Sequence, residues 1–319
     1  MLKFQPAGFG QKSAQTRLGS VVYYTPIDSP VQSTLGSPQY NLAHQFDADN
    51  KPTVVFFHNF GGGASAYEWS KVYSVLSISH RVIAPDLIGW GASAHPERRY
   101  STQDYLNVIE DFLEQVIEQI SAGPVVAVAS SFTGSLVARL AVSRPELFTK
   151  LFLTCPAGFK DFGAGAGRRL PEPIINTPFL DTAIYTLGAT NEFAVRNFLE
   201  NFLFAQSDRL SPEIVAAYLA SAQQPNAQYA ALAFLRGDLY FDLAPYWAHL
   251  QVPTALVWGE QAQFTPVATG RRFAELNPRA VRRFQVVSKT GVLPQLEQPG
   301  IVAALLLDWL GANTDTAPD

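Results

Sequence analysis

Ser131 is the residue with the clearest chemical context. It follows the apolar run Val125-Val126-Ala127-Val128-Ala129-Ser130 and opens a helical pattern, so a strand, a sharp turn and a helix meet at it. A serine presented on such a strand-to-helix turn can attack a carbonyl carbon once a base takes its proton. The turn strains the backbone at the nucleophile, so the residues two before and two after it must be small. With Ser131 in that role they are Ala129 and Thr133; with Ser130 they would be Val128 and Phe132, which are too bulky. The glycines of the G-x-S-x-G motif are missing from both flanks. A plain helix start with a serine N-cap therefore stays open as the alternative.

A second candidate precedes it. His58-Asn59-Phe60-Gly61-Gly62-Gly63 directly follows a strand pattern. A glycine-rich loop there leaves backbone N–H groups free to face a developing oxyanion. Where such a loop works with a nucleophile turn, the two donors come from the loop and from the residue after the nucleophile, here Phe60 and Phe132. Taken alone, the loop reads equally well as a tight turn.

These residues need a scaffold, and the apolar pattern supplies one. Val21–Tyr24 reads as an early strand. Thr53–His58, Arg81–Pro85, Pro124–Ser130 and Lys150–Thr154 are short buried runs. Helical patterns separate them at Ser65–Ile78, Gln103–Ile120 and Phe132–Ser143. In the second of these, Ile109, Phe112, Leu113, Val116, Ile117 and Ile120 recur on one face. Strands alternating with helices mean a mostly parallel sheet covered on both faces. Pro26 to Pro52 reads as loop and edge structure. After Pro156 the strand signal stops. A Gly-, Arg- and Pro-rich boundary leads into a helical stretch from about Asp181 to Leu243, and strands resume at Pro253–Trp258 and Arg282–Val287. A helix over Gly300–Leu310 closes the pattern.

Composition narrows the function classes. With 47% hydrophobic and 16% charged residues the chain has material for a large core and is not a disordered segment. A net charge of −4, with basic pairs such as Arg168-Arg169 and Arg271-Arg272 scattered, offers no footprint for nucleic acid. The one cysteine, Cys155, excludes an internal disulfide framework, and no metal-ligand cluster is present. No apolar h-region opens the chain and no run is long enough to span a membrane, which predicts a soluble, cytoplasmic protein.

The ordered motifs carry a resemblance. His58-Asn59-Phe60-Gly61, Ala84-Pro85-Asp86-Leu87-Ile88-Gly89-Trp90-Gly91-Ala92-Ser93, the turn at Ser131, Pro253 to Glu260, and Leu293-Pro294-Gln295-Leu296-Glu297-Gln298-Pro299 follow one another as in the α/β-hydrolase superfamily. More narrowly the chain resembles its cap-bearing branch, which includes haloalkane dehalogenases, epoxide hydrolases and carbon–carbon bond hydrolases. The resemblance implies an α/β-hydrolase fold, a mostly parallel eight-stranded sheet flanked by helices, with a helical cap insertion. Core segments 1–157 and 246–319 would enclose a cap over 158–245. No cofactor is implied.

The same resemblance places a nucleophile at Ser131 and the Phe60 and Phe132 N–H groups at the oxyanion. It puts the triad acid three residues past Gly259, at Ala262, and the base just before Leu293-Pro294, at Val292. Neither residue can do that work. The five histidines are His44, His58, His80, His95 and His249, so none follows residue 249. Only His95 is kept as a site candidate among them, although His58, Asn59, Trp90 and Lys289 are expected near the pocket. Lys289 is a conceivable substitute base and Asp161 a conceivable acid. The expectation is a triad-deficient protein, non-catalytic or weakly hydrolytic, that binds an apolar small molecule or a partner. The alternatives are a hydrolase of esters or carbon–carbon bonds with an atypical residue set around Ser131, and a cofactor-independent lyase. Phe60, Phe132, Trp90 and the cap rings Phe198, Phe202 and Phe204 are the expected lining.

Overall fold

The computed structural model describes residues 1–27, 51–121, 123–158, 185 and 190–312. Eight strands form one sheet in the order β1-β2-β4-β3-β5-β6-β7-β8. They are β1 (Phe9–Thr16), β2 (Gly19–Pro26), β3 (Thr53–Phe57), β4 (Arg81–Pro85), β5 (Val125–Ser130), β6 (Phe148–Thr154), β7 (Thr254–Gly259) and β8 (Val281–Val287). β1 and β2 are an antiparallel pair, β2 runs antiparallel to β4, and the other neighbours are parallel. Every residue of β3, β5 and β7 is buried. That is why these strands are continuous apolar runs, as expected of parallel strands covered on both faces.

The eighth strand is the one without a sequence signal. β1 reads Phe-Gly-Gln-Lys-Ser-Ala-Gln-Thr and buries only Phe9 and Thr16. It lies at the sheet edge, where solvent takes most of its side chains, so polar residues are tolerated and no apolar pattern marks it.

Ten α-helices are described. They are α1 (Ser70–Leu76), α2 (Thr102–Val116), α3 (Ser131–Ser143), α4 (Glu192–Phe198), α5 (Pro212–Ala222), α6 (Ala227–Leu235), α7 (Ala244–Trp247), α8 (Val267–Leu276), α9 (Pro294–Glu297) and α10 (Pro299–Gly311). α2 opens on a capping box, in which Ser101 and Asp104 each bond the other's backbone N–H. It ends in a π turn at Ile117–Ser121, where the predicted helix was expected to continue. The first predicted helix likewise begins with a 3-10 turn at Ala66–Trp69. α4 to α7 all lie between β6 and β7, so the described part of that insertion is helical. His44, Asp161, the Arg168-Arg169 pair and most of the Pro26 to Pro52 loop fall outside the described residues. Among those described, no helix is long and apolar enough to cross a membrane.

The turns after β7 and β8 meet without room to spare. An added Cβ at Gly259 would lie 1.8 Å from the Gly291 carbonyl oxygen. Two backbones in contact cannot be relieved by a rotamer change, so Gly259→Ala is expected to destabilise the chain by at least about 2 kcal/mol. Urea unfolding checks this: the midpoint should fall with the slope unchanged.

Candidate functional site

Parallel strands send their C-terminal loops to one end of the sheet, and there the candidate residues gather. β5 ends at Ser130, extended at φ −113°, and Ser131 follows at φ +51° as the first residue of α3. A positive φ is costly for a serine and persists only where the surroundings impose it. Here a fully buried strand leads in, and Thr133 is pinned by a 2.6 Å bond from its hydroxyl to the His58 carbonyl. Ser130 and Ser131 differ sharply. The Ser130 hydroxyl is buried and accepts from Gln295 Nε2 at 3.0 Å, whereas Ser131 is half-buried and its hydroxyl meets no partner among the described residues.

The loop after β3 packs against this turn. The Phe60 and Phe132 rings stand edge to face with centroids 5.3 Å apart, and neither backbone N–H finds an acceptor among the described residues. Trp90 lies 5.5 Å and Tyr105 4.6 Å from Phe60. From the insertion, Phe234 reaches both Phe60 (6.1 Å) and Phe132 (5.6 Å), and Phe241 lies 5.8 Å from Phe132. The wall is therefore aromatic, but the insertion rings that build it are Phe234, Tyr240 and Phe241. Phe198 and Phe202 instead pair with each other, and Phe202 stacks on Phe264.

The loops after β7 and β8 are joined by the Gln261 N–H to Thr290 carbonyl bond of 2.9 Å. Ala262 and Val292, at 6% and 3% exposure, are the side chains they offer. The Val292 N–H donates to the Leu203 carbonyl at 3.0 Å, which fixes its backbone. Glu297 holds the loop from below, accepting the Ala205 and Gln206 N–H groups at 3.1 Å and the Gly291 N–H. Beneath both loops Cys155, at φ +44°, accepts the Gly259 N–H at 3.2 Å, and burial pushes its thiol up to about 12. Such a thiol stays protonated and is no nucleophile.

Several sequence expectations are corrected. His58 is fully buried, with Nδ1 donating to the Asn59 carbonyl and Nε2 accepting the Leu87 N–H at 2.9 Å. Both ring nitrogens are committed to backbone, and burial lowers the ring to about 4, so it braces two loops and does not face a ligand. The Asn59 side chain turns away into a bond with Glu68. Lys289 is exposed at φ +55° and borders an outer groove of about 410 Å³ with Val286, Ile301 and Leu305. No hydrogen bond joins its side chain to Ser131 among the described residues, so nothing seats it as a substitute base. No bond joins His95 to Ser131. Glu68 and Tyr218, joined by a 2.6 Å hydrogen bond, carried no sequence signal.

Residues 54–305 match the profile of the alpha/beta hydrolase family. The chain belongs to that family.

Several of its relatives are hydrolases by name. It is 25% identical to the uncharacterized hydrolase YugF of Bacillus subtilis (strain 168), over 82% of this chain and 90% of that one. It is also 25% identical to the 2-hydroxy-6-oxo-6-(2'-aminophenyl)hexa-2,4-dienoic acid hydrolase of Metapseudomonas resinovorans, over 84% and 87%. A serine hydrolase involved in carbazole degradation shares the fold at a TM-score of 0.71 and 19% identity, covering 95% of this chain and 98% of its own. Carboxylesterase CesB of Bacillus subtilis does so at 0.69 and 18%, covering 98% and 95%. Among the described residues, no group of His, Cys, Asp and Glu could hold a metal ion.

Proposed function

We propose that this member of the alpha/beta hydrolase family binds an apolar small molecule above Ser131 and hydrolyses esters or carbon–carbon bonds weakly, if at all. The helices between β6 and β7 act as its cap, over 158–245, on a core of 1–157 and 246–319. One observation carries the reading. The two loop positions at which the resemblance expects a base and an acid hold Val292 and Ala262, both buried and apolar. A serine hydroxyl holds its proton near neutral pH and is a poor nucleophile without a base. The aromatic wall of Phe60, Phe132, Phe234 and Phe241 supports an apolar ligand, since such surfaces line small-molecule sites.

A second reading has its own support. Ser131 keeps a positive φ, Phe60 and Phe132 keep N–H groups without an acceptor among the described residues, and several relatives are named hydrolases. On this view the chain is a working hydrolase of esters or carbon–carbon bonds that uses an atypical residue set around Ser131. A fluorophosphonate probe separates the two, with Ser131→Ala as control. The first reading expects labelling no faster than the control and ester turnover at background. Serine-dependent labelling with turnover well above background would sink it in favour of the second.

A further inference from the structure

One buried carboxylate, unused by either reading, ties the Phe60 loop to the insertion. Glu68 lies in the 3-10 turn before α1 with no exposed surface. Its Oε2 accepts the Asn59 backbone N–H at 2.9 Å, and its Oε1 accepts both Asn59 Nδ2 at 2.8 Å and the Tyr218 hydroxyl at 2.6 Å. Asn59 Oδ1 in turn accepts the Gly61 N–H. The Phe60 amide thus sits between two residues whose N–H groups are both held through this carboxylate and its carboxamide partner. Tyr218 is on α5, and Ser221 of the same helix donates to the Ala64 carbonyl at 2.9 Å and accepts the Gly91 N–H at 3.0 Å. Gly63, at φ +83°, passes so close that an added Cβ would lie 2.3 Å from the Tyr218 carbonyl oxygen.

As a source of stability this carboxylate is a poor choice. Among the described residues no cation pairs with it, and burying an unpaired charge is costly. Its bonding suits a different task, because the donors it gathers belong to the loop that carries Phe60 and to the helix that lies over it. We infer that Glu68 is a positioning residue, which aims the Phe60 N–H by fixing Asn59 and makes that aim depend, through Tyr218, on the seating of α5. The inference rests on the reading of the Phe60 N–H as an oxyanion donor.

Protonation has one route through the network. A carboxyl O–H must face an acceptor, and of the three donors only the Tyr218 hydroxyl can turn round to accept, since neither a backbone nor a carboxamide N–H can. A proton on Glu68 is therefore passed on to α5. Burial raises Glu68 to about 7, opposed by its bonds to Tyr218 and Asn59. The titratable groups around it are Tyr218 and Tyr67, the latter facing Glu213. Asp86, which holds the nearby Ala66 N–H, is raised to about 6 and also binds the Ala92 N–H, so its titration is read separately at Ala92.

The test is backbone amide NMR of the full chain between pH 5 and 9. The wild-type amides of Asn59, Phe60 and Gly61 should shift with one midpoint near 7 and lose it in Glu68→Gln. In Tyr218→Phe, whose ring still packs, hydrogen exchange at the Asn59 and Gly61 amides should speed up about tenfold while β5 is unchanged. Amides that stay flat in the wild type, that keep the midpoint in Glu68→Gln, or that exchange no faster than β5 in Tyr218→Phe would each overturn the inference. None of these signals requires Ser131 to react, so they stand or fall apart from the labelling experiment.

Discussion

Val292→His combined with Ala262→Asp is expected to hydrolyse a simple aryl ester at least about a hundredfold faster than the wild type. Removing a triad costs on the order of 10⁴–10⁶ in turnover, while an oxyanion site and binding alone keep roughly 10³–10⁴ over water. On the proposed reading the turn at Ser131 and the Phe60 and Phe132 N–H groups serve as elbow and oxyanion donors, and the part to be supplied is the proton relay. The backbone is held for the graft. The Val292 N–H is bonded to the Leu203 carbonyl, and the contact of Gly259 with Gly291 sets the spacing of the two loops. Full recovery is not expected, because position 292 is only 3% exposed and an imidazole there must displace neighbours at a cost of about 1–3 kcal/mol. The single variants should rank in order. Val292→His alone regains part of the rate, and Ala262→Asp alone regains none, since the carboxylate has no ring to orient. Adding Ser131→Ala to the double variant must abolish the gain. A folded double variant no faster than the wild type would mean that the turn at Ser131 or the aromatic wall no longer accepts an ester.

The parts of this molecule that were legible in its sequence are those whose physics is local. β3, β5 and β7 are buried on both faces, so they had to be short apolar runs between breakers, and they are. Ser131 was distinguishable from Ser130 because a strained turn tolerates Ala129 and Thr133 as flanks and not Val128 and Phe132, and the positive φ does fall on Ser131. β1 was illegible for the opposite reason: six of its eight side chains are not buried. The aromatic wall was legible in kind but not in membership. Phe198, Phe202 and Phe234 all sit on insertion helices, and only tertiary packing decides that Phe234 turns toward Phe60. The cluster of Glu68, Asn59 and Tyr218 had no sequence signal at all. Its partners are up to 150 positions apart, and each alone is an ordinary polar residue in a helical or loop pattern.

Stability should respond to pH through three buried groups that pull in opposite directions, and Glu68→Gln should expose the balance. Burial raises Glu68 from 4.5 to about 7 and Asp86 from 3.8 to about 6. Between pH 4.5 and 6 the folded chain therefore holds two protons that the unfolded chain has released, and each makes stability fall as pH rises. His58 works the other way. Burial lowers it from 6.5 to about 4, so over the same interval the unfolded chain binds a proton that the fold refuses, and stability rises with pH. His80 and His95, also lowered by burial, act with His58, and Glu297, raised by burial, acts with the acids. For the first three groups the balance is one proton in favour of the fold, a loss of about 1.4 kcal/mol per pH unit up to pH 6. Glu68→Gln removes one raised acid, so between pH 4.5 and 6 the variant should lose about 1.4 kcal/mol less per pH unit than the wild type. The two chains share every other group, and the gap between them isolates Glu68. The variant's deficit should shrink by about 3 kcal/mol from pH 4.5 to 8 in paired urea titrations. A deficit that is the same at both ends would show that Glu68 stays ionised in the fold, because a carboxylate with an ordinary proton affinity costs the native state nothing extra as pH rises.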